Sequence, residues 1–78
     1  MLFKPNASLL AHYHVGLTEI YFIIKGAGLI KIENKEIRCE KNDIILIEPK
    51  ERHSITNDSL EDLVIAIVKY NNDDTFIW

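Results

Sequence analysis

The chain holds three histidines, His12, His14 and His53, and all three admit one common task. His12 and His14 are separated by a single residue. Side chains alternate faces along a β-strand, so these two imidazoles point the same way, roughly 7 Å apart at the backbone. From that spacing two ring nitrogens can converge on one ion. Glu19 follows after Val15-Gly16-Leu17-Thr18, and Gly16 permits a tight turn that returns Glu19 toward the pair on the next strand. His53 opens a later strand beyond a turn around Pro49, so only folding brings it to the others. Three imidazoles and one carboxylate suit a single borderline divalent ion: Mn, Fe, Co, Ni or Zn. Four protein ligands leave one or two positions open on a five- or six-coordinate ion, for a substrate oxygen, water or dioxygen. The full set in order carries the weight. An H-x-H pair alone is a weak signal, because a strand histidine is more often a surface or hydrogen-bonded residue than a ligand. A lone glutamate is more often simply solvated.

Such a site needs strands to hold it, and the pattern is strand after strand. Ile20 to Ile24, Leu29 to Ile32, Ile44 to Ile47 and Leu63 to Val68 are short, rich in β-branched or aromatic residues and bounded by turn formers. Further strands are expected over Ala11 to Val15, Ile37 to Glu40 and His53 to Thr56. Polar turns fall at Glu33 to Glu36, Lys41 to Asp43, Glu48 to Arg52 and Asn57 to Ser59, and a glycine turn at Gly26 to Gly28. The result is an all-β chain of about seven antiparallel strands with tight connections, a sandwich or barrel. No segment carries a helical period of eleven or more residues. Residues 1–78 read as one domain, without repeats or a linker. The polar stretch Lys69 to Asp74 reads as loop or tail, and Phe76-Ile77-Trp78 as an end that packs on the barrel or on a partner.

Seventy-eight residues, 47% of them hydrophobic, suffice for one small core. At this size a folded chain buries only about 60% of the surface its unfolded form exposes, so a metal, a second subunit or both are expected to add stability. The apolar runs are nearly continuous, which covers both faces of several strands, and a second copy is the natural cover for the outer one. The net charge of −3, with nine Lys and Arg scattered among twelve acidic residues, provides no basic stripe for nucleic acid or an anionic membrane. The apolar runs are too short to span a bilayer. No signal-peptide pattern is seen, and the single Cys39 can form no internal disulfide, so a cytoplasmic setting is expected.

The stretch HYHVGLTEIYFIIKG, His12 to Gly26, resembles the first motif of the cupins, in which H-x-H is followed by three or four residues, Glu, six residues and Gly. Fifteen residues after Gly26, NDIILIEPKERHSITN, Asn42 to Asn57, resembles the second motif, G-x5-P-x-G-x2-H-x3-N. His53 and Asn57 match there. Asn42 stands at the first Gly of that motif, Glu48 at its Pro, with Pro49 one place later, and Lys50 at its second Gly. The resemblance spans roughly residues 9 to 69. It implies a small single-domain cupin of the conserved-barrel type: a double-stranded β-helix, jelly-roll-like, with a metal near one mouth. It also implies that one divalent transition metal binds through His12, His14, Glu19 and His53, and that the protein is a homodimer. Only eleven residues precede His12, fewer than most cupins have. Leu2 to Leu10 of a partner subunit is therefore expected to complete the sheet edge.

By strand parity from Glu19 and His53, Tyr21, Ile23 and Ile55 share the inward face and form a candidate substrate pocket, the Tyr21 hydroxyl orienting a ligand or merely satisfied in the core. Arg52 is assigned to the surface, Cys39 to the core and Asn57 to a structural loop tie. Function follows in three classes. In one, the metal is a Lewis acid on a small oxygenated metabolite such as a sugar or oxo-acid. In another, Fe(II) serves as a dioxygenase centre. In the third, the chain is a non-catalytic module that binds or senses a small molecule.

Overall fold

The computed structural model describes residues 1–13 and 15–71, and the backbone of 75–77. Nine strands, and no helix, occur among them: β1 (Leu2–Phe3), β2 (Ser8–His12), β3 (Leu17–Lys25), β4 (Ala27–Ile32), β5 (Lys35–Glu40), β6 (Ile44–Ile47), β7 (His53–Thr56), β8 (Leu63–Asn71) and β9 (Thr75–Ile77). They form two facing antiparallel sheets. One runs β1-β8-β3-β6 with β9 also beside β8, and the other runs β2-β7-β4-β5.

Alternation explains why these residues make these sheets. In β3 the inward positions Glu19, Tyr21 and Ile23 are buried, while Ile20 and Phe22 between them are only partly so. β6 buries Ile45 and Ile47 and exposes Ile44 and Leu46. Ile30 and Ile32 of β4, Ile55 of β7 and Leu63 and Ile65 of β8 complete a core built mainly of isoleucine, capped by Phe3. β-branched side chains suit a pleated, half-buried surface, so the same residues that favour strands also fill the space between the sheets. Where the sheets approach, Gly28 sits so close that a Cβ would lie 2.8 Å from the Thr56 carbonyl oxygen and from the Leu63 side chain. Any larger residue there would force the strands apart.

Three expectations change. Strand β2 begins at Ser8 and ends at His12, not over Ala11 to Val15, because Ser8 and Leu9 pair with Thr56 and Ile55 of β7 before a bulge precedes the His12–His53 pair. The segment read as loop from Lys69 starts as strand, since Lys69, Tyr70 and Asn71 pair with Glu19, Thr18 and Leu17 of β3. Cross-strand pairing overrides the polar local composition there. The N-terminal segment completes its own barrel: Leu2 and Phe3 pair with Val64 and Leu63, and β2 pairs with β7 of the same chain. Of the C-terminal aromatic segment, Phe76 and Ile77 lie on β9 at the backbone level, and Trp78 lies outside the described residues, as do Asn72 to Asp74.

Asn57 secures this closure as the sequence suggests. It is fully buried. Its amide donates to the carbonyls of Phe3 (2.9 Å) and Glu61 (2.7 Å), and its carbonyl accepts from the Ser59 N–H (3.0 Å) and hydroxyl (2.8 Å). One side chain thus ties the N-terminal strand, the β7 exit and the loop into β8, with its donors and acceptors satisfied.

Candidate metal centre

The turn before β7 sets His53. Lys50 adopts the left-handed conformation (φ 67°), and the Glu51 carboxylate accepts the Glu48 N–H at 2.7 Å. Glu33 clamps the exit, accepting the Arg52 N–H at 2.9 Å and donating its own N–H to the Arg52 carbonyl at 2.8 Å. Held this way, His53 enters the barrel buried, and its Nδ1 lies 2.9 Å from the Glu51 carbonyl oxygen. His12, at the end of β2, makes the same contact with the Leu10 carbonyl at 2.9 Å. A carbonyl only accepts, so Nδ1 carries a hydrogen in each ring and Nε2 is the nitrogen that can take a metal or a second proton.

Those rings are neighbours across the β2–β7 ladder, with centroids 4.3 Å apart. Glu19 reaches the same point from the opposite sheet, its Oε2 2.9 Å from His53 Nε2. One ligand atom from each of His12, Glu19 and His53 lies within 4.8 Å of the others. A lone pair on Nε2 facing a carboxylate oxygen at that distance requires a proton or a metal cation between them. Donors bound at about 2.1 Å to one ion stand about 3 to 3.5 Å apart, so the cluster fits a divalent ion with small side-chain adjustments. The carbonyl bonds to Nδ1 are the outer-shell contacts that fix ligand histidines in orientation.

Three of the four residues proposed from sequence as ligands are brought together, two of them buried. His14 lies outside the described residues. Tyr21, Ile23 and Ile55 share the inward face and pack in the core, and the Tyr21 ring meets His53 edge-on at 6.3 Å. Burial, and secondly the charge of Glu19, raise the Tyr21 hydroxyl well above the ordinary phenol range, so it stays a protonated donor. Arg52 is exposed and Cys39 is buried, as expected. One residue beside the site was missed. Lys69 lies directly across the ladder from Glu19, and the only signal for it was its spacing of two from Ile67 and Ile65.

Residues 1–69 match the family model described as the cupin domain. An uncharacterized protein of Methanocaldococcus jannaschii is 37% identical over 75 residues, covering 92% of this chain and 60% of that protein. The oxalate-binding protein of Thermotoga maritima is 33% identical over 68 residues, covering 87% of this chain and 56% of that one. Among solved structures, a predicted oxalate decarboxylase from Thermotoga maritima superposes with a TM-score of 0.87 at 30% identity, over 90% of this chain and 61% of that one. The Cnp3 cupin domain of Schizosaccharomyces pombe gives 0.89 at 12% identity, over 92% and 53%, a likeness of fold alone. The chain thus spans less than two thirds of the length of these relatives.

Proposed function

Because the chain belongs to the cupin family, we propose that residues 1–78 form one small metal-binding cupin domain whose His12, His14, Glu19 and His53 hold one divalent transition ion and present it to a small oxygenated metabolite. The observation that carries this reading is the 2.9 Å approach of Glu19 Oε2 to His53 Nε2, with both Nδ1 atoms already bonded to carbonyls. A bound ion would act there as a Lewis acid, polarising a ligand oxygen. The chain's own part is to hold the donors, exclude water with Ile23 and Ile55 and offer the Tyr21 hydroxyl as a hydrogen-bond donor.

Binding is favoured over turnover by what surrounds the ligands. Apart from His12, Glu19 and His53, the buried polar side chains among the described residues are Tyr21 and Asn57, and Asn57 is already saturated. Neither supplies a ready general base. The oxalate-binding relative makes oxalate the first ligand to try. A cytoplasmic location accords with the lone free Cys39.

A second copy is the proposed partner. The outward face of the larger sheet presents Ile20 opposite Leu46 and Val68, and Phe22 opposite Ile44 and Ala66, without a charge among them. Ile44 is 66% exposed and Leu46 52%. A contiguous apolar face of this kind on so small a chain fits a homodimer.

Elemental analysis of untagged wild type beside His53→Ala tests the metal reading. About one transition ion per chain, lost in the variant, is expected. No metal in wild type after soaking with Mn, Fe, Co, Ni and Zn would overturn it.

A further inference from the structure

We propose that Lys69 is an anion-binding residue at the mouth of the metal site and makes it selective for ligands that carry negative charge beyond what the metal neutralises, an inference that rests on the metal reading above. Strand register places it. Glu19 and Lys69 are direct partners in the antiparallel β3–β8 ladder, and residues directly opposite project to the same face with Cβ atoms about 5 Å apart. Parity within β8 agrees independently: Lys69 continues the series Leu63, Ile65, Ile67, whose first two members are buried in the core.

The other eight cations of the chain, Lys4 through Arg52, are all exposed, and Lys69 alone is half-buried. Among the described residues it forms no ion pair. Glu19, across the strand, is turned to His53 instead. An ammonium on a four-carbon stem, one strand across from the buried Glu19 and not ion-paired with it, is placed to meet a carboxylate arriving at the ion. Partial burial weakens solvent screening and strengthens that contact. The ligand class is therefore a small carboxylate dianion, in preference to a neutral sugar of the same reach.

The test compares oxalate with oxamate, its half-amide, which differs by one charge at nearly equal size. Calorimetric titration uses wild type, Lys69→Met, Lys69→Gln and Lys69→Arg, each with its metal content measured on the same sample. The expected result is unchanged metal content in every variant. Oxalate affinity should fall about tenfold in Lys69→Met and Lys69→Gln, recover to within a few-fold in Lys69→Arg, and the wild-type preference for oxalate over oxamate should shrink with it. Neutral variants that keep their metal and bind oxalate within twofold of wild type overturn the Lys69 assignment alone. So does a metal-loaded wild type that does not bind oxalate, or loss of metal from the neutral variants. A wild-type chain that takes up no metal overturns the metal reading and this inference together.

Discussion

At the scale of the residue, the site depends on which atoms are already occupied. The Nδ1–H of both His12 and His53 donates to a backbone carbonyl, so in each ring it is Nε2 that would ligate, and that of His53 faces Glu19. Protons compete with a metal for those nitrogens, so acidification must weaken binding. We expect metal affinity to fall steeply from about pH 8 to about pH 5, and a flat competition titration with a chelator would remove the histidines from the site. Cys39 gives a second pH signature of opposite direction. Burial raises its thiol above the ordinary value, the largest of several causes. The folded chain then keeps a proton that the unfolded chain releases above about pH 8.5, so this contribution to stability is full below that pH and fades as pH rises toward the folded value. The prediction is a stability difference between wild type and Cys39→Ala that shrinks between about pH 8 and about pH 10 in urea unfolding. A constant difference would mean that the thiol is not perturbed.

At the scale of the element, strands were legible where hydrophobic alternation is strong and illegible where pairing alone makes the strand. Ile44–Ile47 and His53–Thr56 fall where the residue pattern puts them. Lys69–Asn71 is polar and reads as tail, yet it is strand because β3 offers Leu17 to Glu19 as a template. β2 ends two residues before His14, because a bulge between Leu9 and His12 lies beyond any periodicity. The spacing of His12 and Glu19 and the place of His53 made them candidates, and the structure brings these three together. The carbonyl contacts that orient His12 and His53 could not be read, since they depend on backbone geometry. Turns are intermediate. Asn42 stands where the cupin motif has glycine and adopts φ 79°, which Asn tolerates. Lys50 also replaces a glycine and is held at φ 67°, where a β-carbon costs energy. Lys50→Gly should therefore stabilise the domain by about 0.5 to 1 kcal/mol, the relief of strain being partly offset by a freer unfolded chain. The expected readout is a higher thermal midpoint with metal content unchanged. A lower midpoint would show that Lys50 makes a compensating contact.

At the scale of the whole molecule, size and surface meet. A chain of 78 residues has a small core for its surface, yet one side of the barrel leaves Ile24, Ile44 and Leu46 each more than half exposed. Ile44 and Leu46 lie on one face with Ile20 and Phe22, on adjacent strands in register, so the exposure is a contiguous patch and not scattered single residues. The smaller sheet differs: its outward positions include Lys31, Glu36 and Arg38, which keep it solvated. Burial of the apolar face against its copy by a two-fold axis would bring β3 of one protomer against β3 of the other, while the inward-facing Glu19 would stay on the opposite side of the sheet. Ile44→Lys with Leu46→Lys places two charges at the patch without touching the core, because both side chains point outward. Sedimentation at micromolar concentration is expected to show a dimer for wild type and a monomer for the double variant. The monomer should be less stable but should still bind metal, since no ligand comes from that face. A wild-type chain that stays monomeric at about 100 μM would rule out the self-paired face.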